Sequence, residues 1–480
     1  MNRFSRRGFL STSAAFVGTA AATRAALGTD QPVQVTPLNT NESALDDSFG
    51  SAKRVIFAVA DGMSMGTMTL ADLYSKIVLG RDTFWPRLMA QPGIVNALCS
   101  TYSANSLVTD SAAASTTWSS GMRVDNGSIG YTPQGQALEP ILMRTHNAGL
   151  RTGLVTTAKV TDATPAGFIA NVPRRTMEQD IANQIMHRAP NIVLGGGAKF
   201  FSPESRKNFT GRYTENHRAI RDVQHARSTI GLFAHDHIPY HLDRDGDDAD
   251  LLSMTKEAIG QLDFLGGGYF IQVEAARVDH AAHNNDAISM ILEQIEFDRT
   301  IEYLSNYVSN RDDTLLIITT DHGNGNPALS VYGPSAQRGL MSLTNAKRSF
   351  DWIFRELKER DPNLEHLSIQ REIIAYATGV ALKQSDLPYL NTKKVPRGDL
   401  FAHSNSRESR LASLLANRNT IAFTSKNHTS DMVVFTAQGA GATLFPPMIE
   451  NTDIYPRMMH AMGLERMGAN SDTLVHAHAN

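Results

Sequence analysis

The chain has 480 residues, of which 41% are hydrophobic and 19% are charged, and its formal net charge at pH 7 is -3. This composition is typical of a soluble globular protein with a large apolar core, and it excludes the strongly basic surface by which many proteins bind nucleic acids. One cysteine, Cys99, stands against sixteen histidines, so an internal disulfide is excluded and any metal site must use His and carboxylate ligands rather than thiolates.

The N-terminus predicts an export signal. Arg6 and Arg7 precede a Phe-Leu pair and an Ala-rich, weakly apolar run, a pattern typical of the twin-arginine signals that carry folded proteins. The run has no cysteine for lipid attachment and is too short and too rich in alanine to predict a membrane span. We therefore expect residues 1–28 to be a signal peptide read by the twin-arginine export machinery, and residues 29–50 to be an N-terminal arm or linker. The protein is then periplasmic or secreted, without a stable membrane anchor.

Six continuous apolar runs predict the strands of the fold. They are KRVIFAVADG from Lys53, TGLVTTAKV from Thr152, NIVLGGG from Asn191, GGYFIQVE from Gly267, TLLIITTDHG from Thr314 and DMVVFTAQG from Asp431. Runs of this kind suit strands that are buried on both faces of a parallel sheet. Segments with helical periodicity, such as residues 286–308, lie between them. This alternation predicts a doubly wound α/β fold, with a mostly parallel central sheet flanked by helices.

A predicted helix start, VTDSAAAS, follows the first of these runs. In one interpretation, Asp110 or Ser111 only caps the helix ahead of an alanine run. In the other, Ser111 is a nucleophile at the positive end of the helix, where backbone amides bind anions. The eight residues fit both interpretations, so the choice depends on what the rest of the chain brings to Ser111.

Three predicted strands end in a carboxylate. Asp61 ends the first run, Glu274 the fourth, and Asp321, followed directly by His322, the fifth. A single Asp at a strand end is usually a turn or cap residue, but ligands of open parallel sheets bind beyond the carboxyl ends of the strands. Three carboxylates gathered there repel one another unless a cation lies among them, so the pattern indicates a metal site.

Two later segments offer further metal ligands. In ARVDHAAHNND, Asp279 and His283 are four residues apart, so on a helix they share one face. The alternative is an exposed helix start with an acid near its N-terminus. His428, just before the last predicted strand, completes a site only if the fold brings it to the other ligands.

Residues 327–425 contain no clear strand, although SFDWIFRELKER from Ser349 predicts an amphipathic helix. Structureless loops of this length are uncommon in compact domains, so we predict an insertion or cap there. Residues 51–326 and 426–480 then form the catalytic core.

Several of these motifs together resemble the alkaline phosphatase family, from about Lys53 to Ala442. The segments that carry the resemblance are FAVADGMS, VTDSAAASTTWSSG, KVTDATPAGF, VEAARVDHAAH, TTDHGNG and NHTSDMVV, and GLFAHDHIPYHLDRD is also similar to a family segment. Any one of them is a weak signal, but their joint order and spacing is specific. The resemblance implies the alkaline-phosphatase-like form of the α/β fold.

The resemblance also implies a site for two zinc ions and one magnesium ion. The implied ligands of the first zinc are Asp279, His283 and His428. Those of the second zinc are Asp61, Asp321, His322 and the Ser111 oxygen. Those of magnesium are Asp61, Thr164 and Glu274. These sets agree with the preference of magnesium for hard oxygen ligands and of zinc for mixed His and Asp ligands.

Three further positions are implied less directly. Asp162 touches the magnesium ion through water, and His280 stands where some relatives carry Lys, so the identity of the third metal is left open. The phosphate-binding arginine of the family falls at Arg175, with its neighbour Arg174 as the alternative.

The implied activity is hydrolysis of small phosphate monoesters through a phosphoserine at Ser111. A phosphodiesterase or phosphonate hydrolase of the same superfamily is the alternative, but diesterase relatives often use Thr and lack the arginine that binds a dianion. A sulfatase is disfavoured because Cys99 lies in CSTYS rather than in its C/S-x-P-x-R context. An exported phosphate- or metal-binding protein without turnover is a third hypothesis. Members of the family are often homodimers, and the oligomeric state is left open here.

Overall fold

The computed structural model describes residues 47–218, 226–246, 248–392 and 406–467. The predicted signal peptide and most of the predicted arm lie outside the described residues. The strands are β1 Arg54–Ala60, β2 Val95–Cys99, β3 Arg151–Lys159, β4 Ile192–Gly196, β5 Arg212–Thr214, β6 Thr229–Leu232, β7 Tyr269–Ala275, β8 Thr314–Thr319, β9 Gly323–Asn324, β10 Ala328–Leu329, β11 Ile421–Ala422, β12 His428–Thr429, β13 Val433–Gly439 and β14 Met448–Ile449.

The helices surround these strands. They are α1 Met65–Tyr74, α2 Phe84–Met89, α3 Ser111–Ser120, α4 Ile141–Asn147, α5 Ala163–Ile169, α6 Glu178–Arg188, α7 Pro203–Asn208, α8 Leu251–Leu265, α9 Arg277–His283, α10 Ala287–Ser309, α11 Pro334–Ser342, α12 Phe350–Arg360, α13 Leu367–Thr378, α14 Leu387–Leu390, α15 Arg407–Asn419 and α16 Ile454–Ala461. Among the described residues, no helix is both long and apolar enough to cross a lipid bilayer.

A ten-stranded sheet forms the centre of the fold, in the order β14-β2-β13-β8-β1-β7-β3-β4-β6-β5. Its strands run in one direction except β13, which is antiparallel to both β8 and β2. The predicted mostly parallel α/β fold is therefore confirmed. All six predicted strands are present; β2, β5, β6 and β14 were not predicted, because they are short or lack a continuous apolar run.

The sheet is buried on both faces, which explains the continuous apolar runs. In β1, Ile56, Ala58 and Ala60 pack into the apolar layer on one face. Val55, Phe57 and Val59 pack into the layer on the other face. Since side chains alternate along a strand, a strand covered on both sides needs apolar residues at every position.

Helices α12 to α15, which lie between β10 and β11 in the chain, form a separate apolar cluster. The predicted amphipathic helix is α12, whose buried side chains are Phe350, Ile353 and Leu357. They pack with apolar side chains of α13, α14 and α15 in a cluster of their own. β10 and β11 pair with each other at the base of this segment. Each has only two residues, which is too short for a strand to be recognised in the sequence.

Candidate active site

Three adjacent strands place acidic side chains at one edge of the sheet. β1 pairs in parallel with β8 and β7, so that Val59 lies opposite both Thr319 and Glu274. Asp61 follows β1, Asp321 follows β8, and Glu274 lies near the end of β7. All three carboxylates are buried. The parallel register thus brings together the three acids that the strand pattern singles out.

Asp61, Asp321 and His322 form the first group. One carboxylate oxygen from each Asp and one ring nitrogen of the His all lie within 4.8 Å of one another. His322 Nε2 is 3.1 Å from Asp321 Oδ2 and 3.8 Å from Asp61 Oδ1. The Oγ of Ser111 lies 3.2 Å from the same Nε2. The structure therefore brings Ser111 to these three residues, although Ser111 and His322 are 211 positions apart in sequence.

The oxygens that face this group lack ordinary partners. Among the described residues, Asp61 Oδ1 and Asp321 Oδ2 are buried and make no hydrogen bond, although His322 Nε2 lies 3.1 Å from the second. Burial, followed by the charges of Asp321, Asp279 and Glu274, raises the pKa of Asp61 well above its usual value. Burial also raises the pKa of Asp321, but the charge and hydrogen bond of His322 and the Gly62 amide together lower it, so its net shift is downward. Buried carboxylates that crowd and repel in this way fit a bound cation, which satisfies both oxygens at once.

His283 and His428 form the second group, around Asp279. Their Nε2 atoms are 3.0 Å apart, and they lie 3.3 Å and 3.7 Å from the Asp279 carboxylate oxygens. The Nδ1 of His283 is 2.6 Å from the Lys426 carbonyl oxygen, and the Nδ1 of His428 is 2.9 Å from the Thr109 carbonyl oxygen. A carbonyl only accepts, so both Nδ1 atoms donate, and each neutral ring presents its Nε2 lone pair to the other.

Two lone pairs 3.0 Å apart repel each other unless a proton or a cation lies between them. The carbonyl contacts fix both rings in the tautomer that binds a metal through Nε2, as outer hydrogen bonds do in metal sites. Burial, followed by His322, lowers the pKa of His428 to about 4, which disfavours a bridging proton. The donor set and its orientation therefore fit a divalent cation beside Asp279.

The antiparallel strand β13 explains how His428 reaches this group. Because β13 runs against β8, the chain segment before β13 lies at the carboxyl end of β8. There β12 pairs with β9, with His428 opposite Asn324. The Asn324 side chain donates a hydrogen bond of 2.7 Å to Asp279 Oδ1. The antiparallel direction of β13 thus brings His428, the last predicted ligand along the chain, to the other predicted ligands.

A close backbone approach holds the two groups side by side. Gly62, which follows Asp61, has φ +68°, and a Cβ at this position would lie 2.7 Å from the Asp279 Cβ. Its amide donates a hydrogen bond of 3.0 Å to Asp321 Oδ1. Glycine is required here both for the left-handed backbone and for the space.

Asp61, Thr164 and Glu274 form a third group at the N-terminus of α5. Thr164 Oγ1 donates to Asp61 Oδ2 at 3.2 Å. Thr156 Oγ1, which sequence analysis did not single out, donates to Glu274 Oε2 at 2.6 Å. Burial, the largest cause, raises the pKa of Glu274 to about 8. Hydroxyl and carboxylate oxygens of this kind suit a hard cation such as Mg²⁺.

Helix α3 begins at Ser111, and Asp110 is its N-cap. Asp110 Oδ1 accepts a hydrogen bond of 3.0 Å from the Ala113 amide. This leaves the Ser111 hydroxyl free of capping and directs it to His322, at the end of the helix where amides and dipole favour an anion. The capping interpretation of VTDSAAAS therefore applies to Asp110, and the nucleophile interpretation applies to Ser111.

Arg175 is held beside Ser111 by two carboxylates. Its Nη1 lies 3.2 Å from Asp110 Oδ2, and its Nη2 lies 3.1 Å from Asp162 Oδ1. Asp162 is also the N-cap of α5. Arg174, the alternative from sequence, is exposed. The structure thus brings Arg175 to the site and leaves Arg174 on the surface.

His237 is a neighbour of the site that sequence analysis missed. Its Nδ1 lies 3.9 Å from Asp162 Oδ2, and His280 Nε2 lies 3.9 Å from the same oxygen. The His237 and His280 ring centroids are 4.5 Å apart. Burial, followed by the charge of Arg277, lowers the pKa of His237 to about 4. The segment GLFAHDHIPYHLDRD contains it, but only the folded chain shows which of its three histidines faces Asp162.

The family model of alkaline phosphatase matches residues 52–226 and 207–464 of this chain. The repressible alkaline phosphatase of Saccharomyces cerevisiae is 28% identical over 439 residues, which cover 81% of this chain and 76% of the yeast protein. The alkaline phosphatase of Escherichia coli is 27% identical over 418 residues, which cover 72% of this chain and 87% of that protein.

Solved structures show the same similarity. The crystal structure of Thermus thermophilus alkaline phosphatase superposes with a TM-score of 0.79 at 28% identity, covering 91% of this chain and 98% of that one. The cold-active alkaline phosphatase of a Shewanella species superposes with a TM-score of 0.71 at 25% identity, covering 85% and 99% of the two chains.

Proposed function

Because the chain belongs to the alkaline phosphatase family and is an alkaline phosphatase, which hydrolyses phosphate monoesters, we propose that its reaction passes through a phosphoserine at Ser111. We further propose that the site holds two zinc ions and one magnesium ion. The observation that carries the metal proposal is the pair of Nε2 lone pairs of His283 and His428, fixed 3.0 Å apart by two backbone carbonyls.

The residues that would hold each ion follow from the three groups. The first zinc is assigned to Asp279, His283 and His428. The second zinc is assigned to Asp61, Asp321, His322 and the Ser111 oxygen. Magnesium is assigned to Asp61, Thr164 and Glu274, with Asp162 reaching it through water. When bound, these cations supply Lewis acidity that lowers the pKa of the Ser111 hydroxyl and offsets the charge of the phosphoryl group.

The chain's own residues perform the remaining work. The phosphate oxygens accept hydrogen bonds from the first amides of α3 and from the Arg175 guanidinium, which Asp110 and Asp162 orient. The Ser111 hydroxyl loses its proton to solvent, and its oxygen attacks phosphorus. The bond from phosphorus to the ester oxygen breaks, and this oxygen takes up a proton from solvent, so that the alcohol leaves. Water then attacks the phosphoserine from the vacated side and loses a proton to solvent; the bond from phosphorus to the Ser111 oxygen breaks, the oxygen regains a proton, and inorganic phosphate is released.

Arg175 favours monoesters over phosphodiesters. A monoester presents three non-bridging oxygens with a double negative charge, of which a forked guanidinium binds two. A diester carries a single charge and a second bulky group. We therefore predict that p-nitrophenyl phosphate is hydrolysed much faster than its bis-ester; equal or reversed rates would contradict the monoesterase assignment.

Trapping of the phosphoenzyme tests Ser111 directly. Acid quenching with labelled substrate should give one phosphate per chain in the natural enzyme and none in Ser111→Ala. Ser120→Ala is the matched control, because Ser120 lies at the other end of the same helix and its hydroxyl donates only to the Thr116 carbonyl in the described structure. Undiminished labelling of Ser111→Ala would show that another residue is the nucleophile.

We also propose that residues 1–28 direct export by the twin-arginine route, and that residues 327–425 form a cap on the core. The separate apolar cluster of α12 to α15 supports the cap.

Fractionation of cells that express Arg6→Lys/Arg7→Lys tests the export proposal: the activity should be retained in the cytoplasm. Export at the natural level would contradict it.

A further inference from the structure

His280 has the opposite tautomer to the two proposed metal-binding histidines. Its Nδ1 lies 2.8 Å from Arg277 Nη1. A guanidinium only donates, so this Nδ1 must accept, and the proton of the neutral ring is on Nε2. That Nε2–H faces Asp162 Oδ2 at 3.9 Å. In His283 and His428, by contrast, Nδ1 faces a carbonyl and Nε2 carries the lone pair.

This tautomer argues against a fourth metal ion among Asp162, His237 and His280, although one ligand atom from each lies within 4.8 Å of the others. His280 has no lone pair on the nitrogen that faces the group. The Nδ1 of His237 accepts from the Lys159 amide at 3.3 Å, so its lone pair is engaged as well. His280 therefore presents an N–H rather than a lone pair toward Asp162, 3.9 Å away, and does not have the form of a metal ligand.

Arg277, which fixes this tautomer, is itself held by the segment beyond β10. Its side chain is buried, and its guanidinium stacks on the Tyr240 ring at 3.7 Å from the ring centroid. Its Nη2 lies 3.0 Å from Asp351 Oδ2, in the first turn of α12. The Asn284 side chain donates to the other Asp351 oxygen at 2.8 Å. Hydrogen-bonded contacts thus run from α12 through Arg277 to His280, whose Nε2 faces Asp162 at 3.9 Å.

We infer that Asp351 and Arg277 are positioning residues: by fixing the His280 tautomer they place an N–H rather than a lone pair opposite Asp162, and so connect α12 to the third metal site. The kinetic part of this inference rests on the proposed magnesium site. The structural part, the tautomer, does not. Loss of Asp351 loosens the Arg277 guanidinium that selects the His280 tautomer. Through this contact, the segment between β10 and β11 affects the third metal site.

The tautomer is the first test. The full chain, labelled with ¹⁵N-histidine and loaded with zinc, is measured by long-range ¹H–¹⁵N correlation, and the His280 signals are assigned from their loss in His280→Gln. We expect the proton on Nε2 in the natural protein. In Arg277→Met we expect a mixture that includes the Nδ1–H form, with a smaller change in Asp351→Ala. A natural protein with Nδ1–H, or an Arg277→Met variant with the natural tautomer, would overturn the inference.

The magnesium response is the second test. In zinc-saturated enzyme, the magnesium concentration for half-maximal activation should rise about 10-fold in both variants, the usual effect of losing an outer hydrogen bond at a metal site. Glu359→Gln is the control, since Glu359 is an exposed acid on the same helix. An unchanged magnesium response in both variants would refute the connection to the site.

The side chain of Asp351 is 45% exposed, so Asp351→Ala should fold and keeps the test decisive if Arg277→Met does not fold.

Failure of the inference is distinguishable from failure of the proposed function. If the inference alone is wrong, the enzyme still forms a phosphoserine at Ser111 and responds to magnesium. If the proposed function is wrong, no phosphoserine forms, and the tautomer measurement still stands.

Discussion

At the residue scale, substitutions of Arg175 and Arg174 test which of these neighbouring arginines binds phosphate and which only adds charge to the surface. Arg175→Ala should lower kcat/KM for a phosphate monoester about 100-fold, because two charge-assisted contacts to the phosphate are lost and Asp110 and Asp162 are left facing it. Inhibition by inorganic phosphate should weaken in parallel. Arg174→Ala, at the exposed neighbour, should leave both constants unchanged. A larger effect at Arg174 would reverse the assignment.

Glu274 gives a second prediction at this scale, for the metal-free protein. Its pKa is raised to about 8 in the folded state, mainly by burial, so above its unfolded value the folded protein binds more protons than the unfolded chain. Stability should therefore fall as pH rises from the unfolded pKa of Glu to about 8, by up to about 1.4 kcal/mol per pH unit. Urea unfolding after chelation measures this slope. Glu274→Gln should reduce the slope without abolishing it, because the pKa of Asp61 is also raised; an unchanged slope would assign it to another group.

At the element scale, the contact of α3 with α5 sets the distance between Ser111 and the third group. A Cβ added to Gly167 would lie 2.6 Å from the Ser115 Cβ, so Gly167→Ala must push the two helices apart. We expect a loss of about 1–3 kcal/mol in the free energy of unfolding, together with weaker magnesium activation, because Thr164 moves with α5.

A second helical glycine provides the control for that prediction. A Cβ on Gly260, in α8, meets no atom within 4 Å among the described residues. Gly260→Ala should therefore stabilise the protein by up to about 1 kcal/mol through helix propensity alone. Chemical denaturation of both variants distinguishes overpacking from helix propensity. If both variants changed the free energy of unfolding equally and in the same direction, α3 and α5 would tolerate the separation that the added methyl group requires.

At the scale of the whole molecule, removal of metal should affect the core and the α12–α15 cluster differently. The proposed ligands connect β1, β7, β8, α9 and β12, whereas the α12–α15 apolar cluster contains none of them. Chelation should cost the core about 4 kcal/mol for each zinc site that is filled at a thousandfold excess of zinc over its Kd. Hydrogen exchange should rise in the core strand ends and stay unchanged in α12–α15, and zinc should reverse it. A uniform rise would mean that the two units unfold together.

Much of this protein is determined locally by its sequence. The strands were predictable because a strand buried on both faces must be apolar throughout, as in β1. Asp61, Glu274 and Asp321 were predictable as a set because parallel strands end at one edge. Asp279 and His283 were predictable because helical spacing fixes their common face. Each of these inferences needs only a few neighbouring residues and one repeating geometry.

The tertiary structure decided what depends on partners distant in the chain. The tautomers of His283 and His428 are set by the carbonyls of Lys426 and Thr109, and that of His280 by Arg277 with Asp351 behind it. The reversed direction of β13 brings its preceding segment to the ligands of β1 and β8. No local pattern encodes these contacts, because a hydrogen-bond partner is selected by the path of the whole chain, and periodicity records only which face of an element is buried.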